Sequence, residues 1–94
     1  MTIEQFDRES KGFFKATEND QTAGRMTYSW AGSDKFIIDH TEVEPQFNGQ
    51  GVGRKLVMAA VAFAREKGLK IIPLCPYAKS VFDKTPEIAD VLSK

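Results

Sequence analysis

The residues whose types and spacing most clearly suit ligand binding form a glycine-rich turn between a predicted strand and a predicted helix. Gly49, Gly51 and Gly53 are alternate residues directly before a helical pattern. Glycine lets backbone N–H groups approach a ligand closely because it has no Cβ. A helix that begins there adds its unpaired N–H groups and the positive end of its dipole. An anion such as phosphate is the expected occupant, and a turn whose glycines only relieve backbone strain stays open as an alternative.

Two reactive side chains flank this turn in the sequence. His40 can act as a base because a histidine is largely neutral near neutral pH, or it can be a strand histidine that is hydrogen-bonded near a sheet end. Cys75 is the only cysteine and can be a buried apolar filler. Its place at the start of a predicted helix can also favour the thiolate, and with it nucleophilic chemistry. Both residues therefore stay candidates for a catalytic role or for a purely structural one.

Size and composition limit the function classes. The chain has 94 residues, 41% hydrophobic and 28% charged, with 13 basic and 13 acidic side chains. One domain with one core, spanning 1–94, is expected. The balanced charge disfavours nucleic-acid binding, and no apolar run is long enough to cross a bilayer. The N-terminus lacks signal-peptide character and a lone cysteine cannot form an internal disulfide, so we expect cytoplasmic residence. No metal site is predicted.

The first half of the chain carries strand patterns. Strands are predicted at 12–17, 23–30 and 35–43, the second with apolar side chains at every other position. Polar and glycine-containing turns at 18–22 and 31–34 separate them. These segments predict an antiparallel meander with short connections.

A helix and a further strand follow the glycine turn. The helix is predicted from 51 to 67, with an apolar stripe at helical spacing. The run 69–74 is a short apolar strand, so the order strand, helix, strand predicts a right-handed βαβ crossover with parallel strands. Pro73 lies late in that strand, which indicates that the far end of the strand is an edge or separates from its parallel neighbour.

Two short helices are predicted at the end of the chain, at 77–84 and 86–92, with Thr85 as the cap of the second. Open α/β sheets bind ligands beyond the carboxyl ends of their strands. His40 and Cys75 both lie near those ends, on the same edge as the glycine turn. The topology therefore predicts that the candidate residues meet there.

The glycine turn resembles the acyl-CoA site of the GNAT superfamily of N-acetyltransferases. That site reads V-x-P-x-x-[RQ]-G-x-G-x-[GA] before an amphipathic helix. The matching residues here are Val43, Pro45, Gly49, Gly51 and Gly53. Asn48 stands where the family has Arg or Gln, and it keeps the side-chain amide on a shorter stem.

A compact GNAT-like subfamily of very small proteins is the better match. Its members carry H-T-x-V-x-P before the glycine turn and P-x-C-x-Y after the following strand, and residues 40–45 and 73–77 reproduce both motifs. Phe82 takes the place of a tyrosine that often serves as general acid in larger members, and it has no proton to give. The resemblance covers about 36 to 82. It implies a minimal GNAT-like α/β (α+β) fold, with an antiparallel meander, a βαβ unit whose last strands splay apart, and short C-terminal helices.

The resemblance also implies how acetyl-CoA is held. Pyrophosphate would lie on backbone N–H groups from Gln50 to Arg54, and pantetheine would pair with the strand that ends at Val43. The Val43 N–H would polarise the thioester carbonyl, and Phe82 would pack against the long helix or the pantetheine arm. The predicted cofactor-binding residues are Val43, Asn48, Gly49, Gln50, Gly51, Val52, Gly53, Arg54 and Phe82.

The implied reaction is acetyl transfer from acetyl-CoA to an amine. His40 is the candidate base for the amine. Cys75 either protonates the CoA thiolate, accepts the acetyl group itself, or only packs. The acceptor, a small amine or a protein lysine, is not encoded legibly, because the segments that shape its site in larger members are missing. A non-catalytic acyl-CoA-binding or sensing module is the alternative function, and an adapter with a vestigial turn is the third. The oligomeric state stays open.

Overall fold

The computed structural model describes residues 1–93 of the chain. Five strands form one sheet in the order β1-β2-β3-β4-β5. The strands are β1 (Thr2–Asp7), β2 (Lys11–Glu18), β3 (Gln21–Trp30), β4 (Lys35–Val43) and β5 (Lys70–Pro73), and the helices are α1 (Val52–Lys67) and α2 (Pro76–Lys84). The first four strands pair antiparallel and β5 runs parallel to β4. This is the predicted α+β fold. Within residues 1–93, neither helix combines the length and apolar character needed to cross a membrane.

β1 is absent from the sequence prediction. It pairs with β2 along its whole length, yet five of its six residues are exposed. A strand with little buried surface has no apolar alternation to reveal it. Phe6 stacks on Phe13 of β2 with ring centroids 4.8 Å apart, so tertiary contacts hold this edge strand where sequence pattern gives no sign of it.

The core lies between α1 and one face of the sheet. Phe63 of α1 is in contact with the rings of Phe14 and Phe36, at centroid distances of 6.2 and 5.7 Å. Tyr28 is fully buried beside them, and its hydroxyl donates to Asp7 at 2.7 Å. The opposite face of the sheet carries exposed or half-buried residues. We call it the open face.

β4 and β5 separate toward their carboxyl ends, as predicted. Their pairing begins at Lys35↔Lys70 and ends at Ile38↔Pro73, whereas β4 continues to Val43. Pro73 has no N–H to extend the ladder. Beyond it, the Cys75 N–H donates to the Ile38 carbonyl at 3.0 Å. The last residues of β4 therefore line a gap rather than a paired edge.

A β-bulge changes the direction of the side chains at the end of β4. Thr27 pairs with His40 and the next residue of β3 pairs with Ile38, so Asp39 is one extra residue. In a regular strand His40 would share the α1 face with Ile38. With the bulge, His40 points to the open face and Thr41 to the α1 face.

Candidate active site

The glycine turn forms one wall of a cavity of about 430 Å³, which we call the glycine-turn cavity. Its lining residues come from β4, the turn, the start of α1 and the start of α2: Thr41, Val43, Phe47, Asn48, Gly49, Gly51, Val52, Gly53 and Tyr77. Six of the nine predicted cofactor-binding residues are in this set. The cavity lies where the sequence places the anion site.

The turn directs several backbone donors toward this cavity. Gly49 and Gly51 have φ of +85° and +72°, in the left-handed region that glycine adopts without steric cost. Gly51 is the N-cap of α1, and its carbonyl accepts the first helical bond from the Lys55 N–H at 3.0 Å. The N–H groups from Val52 to Arg54 therefore have no partner within the helix. The Gln50 N–H already donates to the Phe47 carbonyl at 3.3 Å, so the unpaired donors begin after Gln50.

The end of β4 contributes a second set of backbone groups. The Glu44 N–H donates to the Ala23 carbonyl at 2.9 Å, which directs it toward β3. Because backbone groups alternate along a strand, those of Val43 and Thr41 point the other way, into the gap left by β5. An extended ligand placed there can pair with β4 as an added strand would.

Cys75 lies across the gap from Thr41. Its Sγ donates to the Thr41 hydroxyl at 3.5 Å, and its side chain is buried. Burial raises the pKa of the thiol, but the pKa is lowered because the thiolate can accept hydrogen bonds from the Thr41 hydroxyl, which reverses its role, and from the N–H groups of Ala78 and Tyr77. The net direction is below the usual pKa of cysteine. Its position at the N-cap of α2 supplies those N–H groups, which offset the effect of burial on the thiol pKa.

His40 lies in a different cavity. The open face holds a depression of about 760 Å³ whose lining includes Phe13, Thr27, Ser29, Asp39 and His40, with Leu74 and Pro76 at the gap. We call it the open-face cavity. The bulge therefore separates the two predicted catalytic residues: His40 is on one side of β4, and Cys75 contacts Thr41 on the other. Both cavities reach the segment that follows β5, because Leu74 and Pro76 line the open-face cavity and Tyr77 lines the glycine-turn cavity.

Two predicted cofactor residues point away from the glycine-turn cavity. Phe82 is buried in the core and lines a separate depression with Pro73 and Lys79. The Arg54 guanidinium donates to the Thr85 hydroxyl at 3.1 Å. Thr85 was expected to cap a C-terminal helix. A short 3-10 helix, Pro86–Val91, does follow with Thr85 as its N-cap residue, but the Thr85 side chain makes no cap hydrogen bond.

Tyr77 is a lining residue whose role in shaping the cavity the sequence did not reveal. Its ring lies so close to α1 that a Cβ on Gly53 would be 2.8 Å from Tyr77 Cε2. Gly53 is therefore needed for packing between α1 and α2, in addition to any ligand contact. Spacing within the glycine motif cannot show this, because the partner is 24 residues further along the chain.

The chain is similar in sequence and in structure to known N-acetyltransferases. A family model described as GCN5-related N-acetyl-transferase matches residues 13–91. A GCN5-like protein of Staphylococcus aureus assigned as an N-acetyltransferase is 38% identical, with a TM-score of 0.70 over 96% of this chain and 87% of that one. Protein NATD1 of Xenopus tropicalis is 27% identical over 82 residues, 87% of this chain and 75% of that protein.

A more distant structure contains a cofactor. A Bacillus anthracis protein assigned as a streptothricin acetyltransferase, solved in complex with acetyl coenzyme A, is 20% identical with a TM-score of 0.59. The match covers 69% of this chain and 38% of that one. At this identity the likeness is one of fold.

Proposed function

The chain belongs to the GCN5-related N-acetyltransferase family, and we propose that it binds acetyl-CoA and transfers the acetyl group to an amine. One observation carries the proposal. The unpaired N–H groups at the start of α1 and the unpaired edge of β4 meet in a single cavity. The first set suits the pyrophosphate of a nucleotide, and the second suits the amides of an extended pantetheine chain.

The gap between β4 and β5 supports transfer as well as binding. Thr41 and Val43 line the glycine-turn cavity on one side of β4, and His40 lines the open-face cavity on the other. A pantetheine chain paired with β4 would bring its thioester to the gap. The Val43 N–H can then stabilise negative charge on the carbonyl oxygen, while an amine approaches from the open face beside His40 as base.

Cys75 has two chemical roles that fit its surroundings. As a thiol bonded to Thr41, it can give a proton to the departing CoA thiolate. As a thiolate, favoured by its lowered pKa, it can attack the thioester and carry the acetyl group before the amine does. Its burial favours the first role, because an attacking sulfur must reach the carbonyl carbon.

A non-catalytic acyl-CoA-binding module is the second candidate function. The observation in its favour is Phe82, which occupies the position of a common general acid and is buried in the core. A phenyl ring donates no proton, so turnover depends on Cys75, His40 or water.

The test compares two alanine variants at opposite ends of α1. Gly51 and Gly68 have φ of +72° and +68°, and a Cβ at either would meet no atom within 4 Å. Gly51→Ala and Gly68→Ala therefore carry the same backbone strain, about 1–2 kcal/mol. Only Gly51 lines the glycine-turn cavity. We expect amide shifts at residues 48–54 when the wild-type protein is titrated with acetyl-CoA, unchanged affinity in Gly68→Ala, and weaker binding in Gly51→Ala.

Three outcomes separate the candidate functions. Binding together with formation of an acetylated amine, seen by mass spectrometry, establishes the enzyme, and an added acetyl group on Cys75 establishes the covalent route. Binding without any acetylated product favours the non-catalytic module. Equal affinity in Gly51→Ala and Gly68→Ala, or no shifts at residues 48–54, would refute the cofactor site.

A further inference from the structure

The open-face cavity has a feature that acetyl-CoA binding does not use. It is lined by charges of both signs, with Asp39 near the gap and Arg8 and Lys11 from the β1–β2 hairpin. Its volume of about 760 Å³ lies in the range typical of small-molecule sites. Within residues 1–93, no further segment of the chain covers this cavity, which opens directly to solvent.

These charges are free to bind a ligand. Within the part of the chain that the structure describes, Asp39, Arg8 and Lys11 form no ion pair. The Asp39 carboxylate is half-buried, and its Oδ2 accepts a hydrogen bond from the Ser29 hydroxyl at 2.6 Å. That bond orients the carboxylate and leaves Oδ1 as an acceptor. A half-buried carboxylate without a cationic partner is suited to a ligand ammonium group.

We propose that the open-face cavity is the acceptor site and that it selects a small amine carrying a carboxylate, held between Asp39 at one end and Arg8 with Lys11 at the other. This inference rests on the proposed acetyl transfer. Asp39 binds the ammonium group beside the gap, and the two cations bind the carboxylate at the rim. A ligand with charges of both signs matches this arrangement, whereas a simple alkylamine meets two unpaired cations.

The reaction that follows balances without a further reagent. The bound ammonium group loses one proton to His40, which lines the same cavity, and the nitrogen attacks the carbonyl carbon of the acetyl thioester. The carbon–sulfur bond breaks and its electron pair leaves with sulfur. The CoA thiolate takes up one proton, and the tetrahedral nitrogen loses its second. The products are an N-acetylated amino acid, CoA thiol and one proton released to solvent.

The experiment uses matched pairs of acceptors with the full chain and acetyl-CoA. The ω-amino acids glycine, β-alanine, γ-aminobutyrate and ε-aminocaproate are each compared with the n-alkylamine of equal carbon number, and the acetylated product is measured by mass spectrometry. We expect kcat/KM to favour at least one amino acid over its alkylamine by about fivefold or more, the effect of contacts with exposed cations. The double variant Arg8→Gln, Lys11→Gln should remove this preference.

Lys15 provides the control. It lies on the same strand and the same face as Lys11, with its Nζ 5.7 Å from the centroid of the Phe6 ring, and it does not line the cavity. Lys15→Gln should keep the preference. Asp39→Asn keeps an acceptor for Ser29 but loses the charge, and it should raise KM for every amine while acetyl-CoA affinity stays the same.

The possible failures are distinguishable. If alkylamines and amino acids are acetylated equally well, or if the double variant keeps the preference, the acceptor proposal is wrong and acetyl transfer stands. Acetylation of protein lysines without acetylation of any small amine overturns it equally. If acetyl-CoA does not bind, the proposed function itself fails, and the acceptor proposal fails with it.

Discussion

The contact between Gly53 and Tyr77 determines how closely α2 approaches the start of α1. A methyl group on Gly53 would lie 2.8 Å from Cε2 and Cζ and 2.9 Å from the hydroxyl oxygen of Tyr77. Ordinary contact begins at 3.4 Å, so the added carbon is about 0.6 Å too close. Gly53→Ala therefore forces the Tyr77 ring, or the start of α2, to move.

Two effects of this substitution on the free energy of unfolding oppose each other. Alanine in a helix is favoured over glycine by about 0.5–1 kcal/mol. Overpacking against Tyr77 costs about 1–3 kcal/mol, and the lower end applies because Tyr77 is 41% exposed, which leaves its ring room to move outward. We expect Gly53→Ala to leave wild-type stability unchanged or slightly lower. In a Tyr77→Ala background it should raise the free energy of unfolding by about 0.5–1 kcal/mol.

Urea denaturation of the four proteins, followed by circular dichroism, measures both changes. Their difference is the coupling energy of the two residues, expected to be about 1 kcal/mol or more. Because both residues line the glycine-turn cavity, Gly53→Ala should also weaken acetyl-CoA binding. A stability gain of equal size in both backgrounds would refute the contact, since the added methyl group would then meet no ring.

Three further predictions concern other positions. Gly24→Ala places a Cβ 2.8 Å from a carbonyl oxygen of β4 and 2.9 Å from Val52, so the free energy of unfolding in urea should fall by about 1–3 kcal/mol; an unchanged midpoint would contradict this close approach. Burial raises the pKa of the Cys75 thiol but the Thr41 hydroxyl lowers it, so Thr41→Val should raise that pKa and Thr41→Ser should not. Thiolate absorbance against pH is the measurement, and an equal Cys75 pKa in both variants would argue against the hydrogen bond between Cys75 and Thr41. Burial also raises the pKa of Tyr28 from 10.0 to about 12, so the stability it contributes is complete below pH 10 and is lost as pH rises toward 12. Between about pH 9 and about pH 11, the free energy of unfolding in urea should fall less in Tyr28→Phe than in the wild-type protein. An equal fall in both proteins would be evidence against the raised pKa of Tyr28.

The parts of the fold that were predictable from sequence are those with a local signature. α1 combines an apolar stripe with Gly68, whose φ of +68° ends it, and both signals are readable along the chain. Pro73 signalled the separation of β4 and β5 because proline removes a backbone donor wherever it stands. By contrast, Gly24 and Tyr77 contact residues that are distant in sequence. No local pattern distinguishes a strand glycine against which a helix packs closely from one that makes no such contact.

The bulge at Asp39 shows why part of the candidate site was beyond sequence reasoning. Alternation through Phe36 and Ile38 places His40 on the buried face, where it would be a core histidine. One extra residue reverses this assignment, because bulges shift every later side chain to the other face. The half-buried Asp39 carboxylate and the His40 imidazole then share the open face, and Thr41 turns toward Cys75. A single irregularity thus determines that the His40 imidazole and the Cys75 thiol lie on opposite sides of β4, as the proposed transfer between two substrates entering from opposite sides requires. The departure from regular pattern and the proposed chemistry occur at the same residue, which is where a local rule is expected to yield to function.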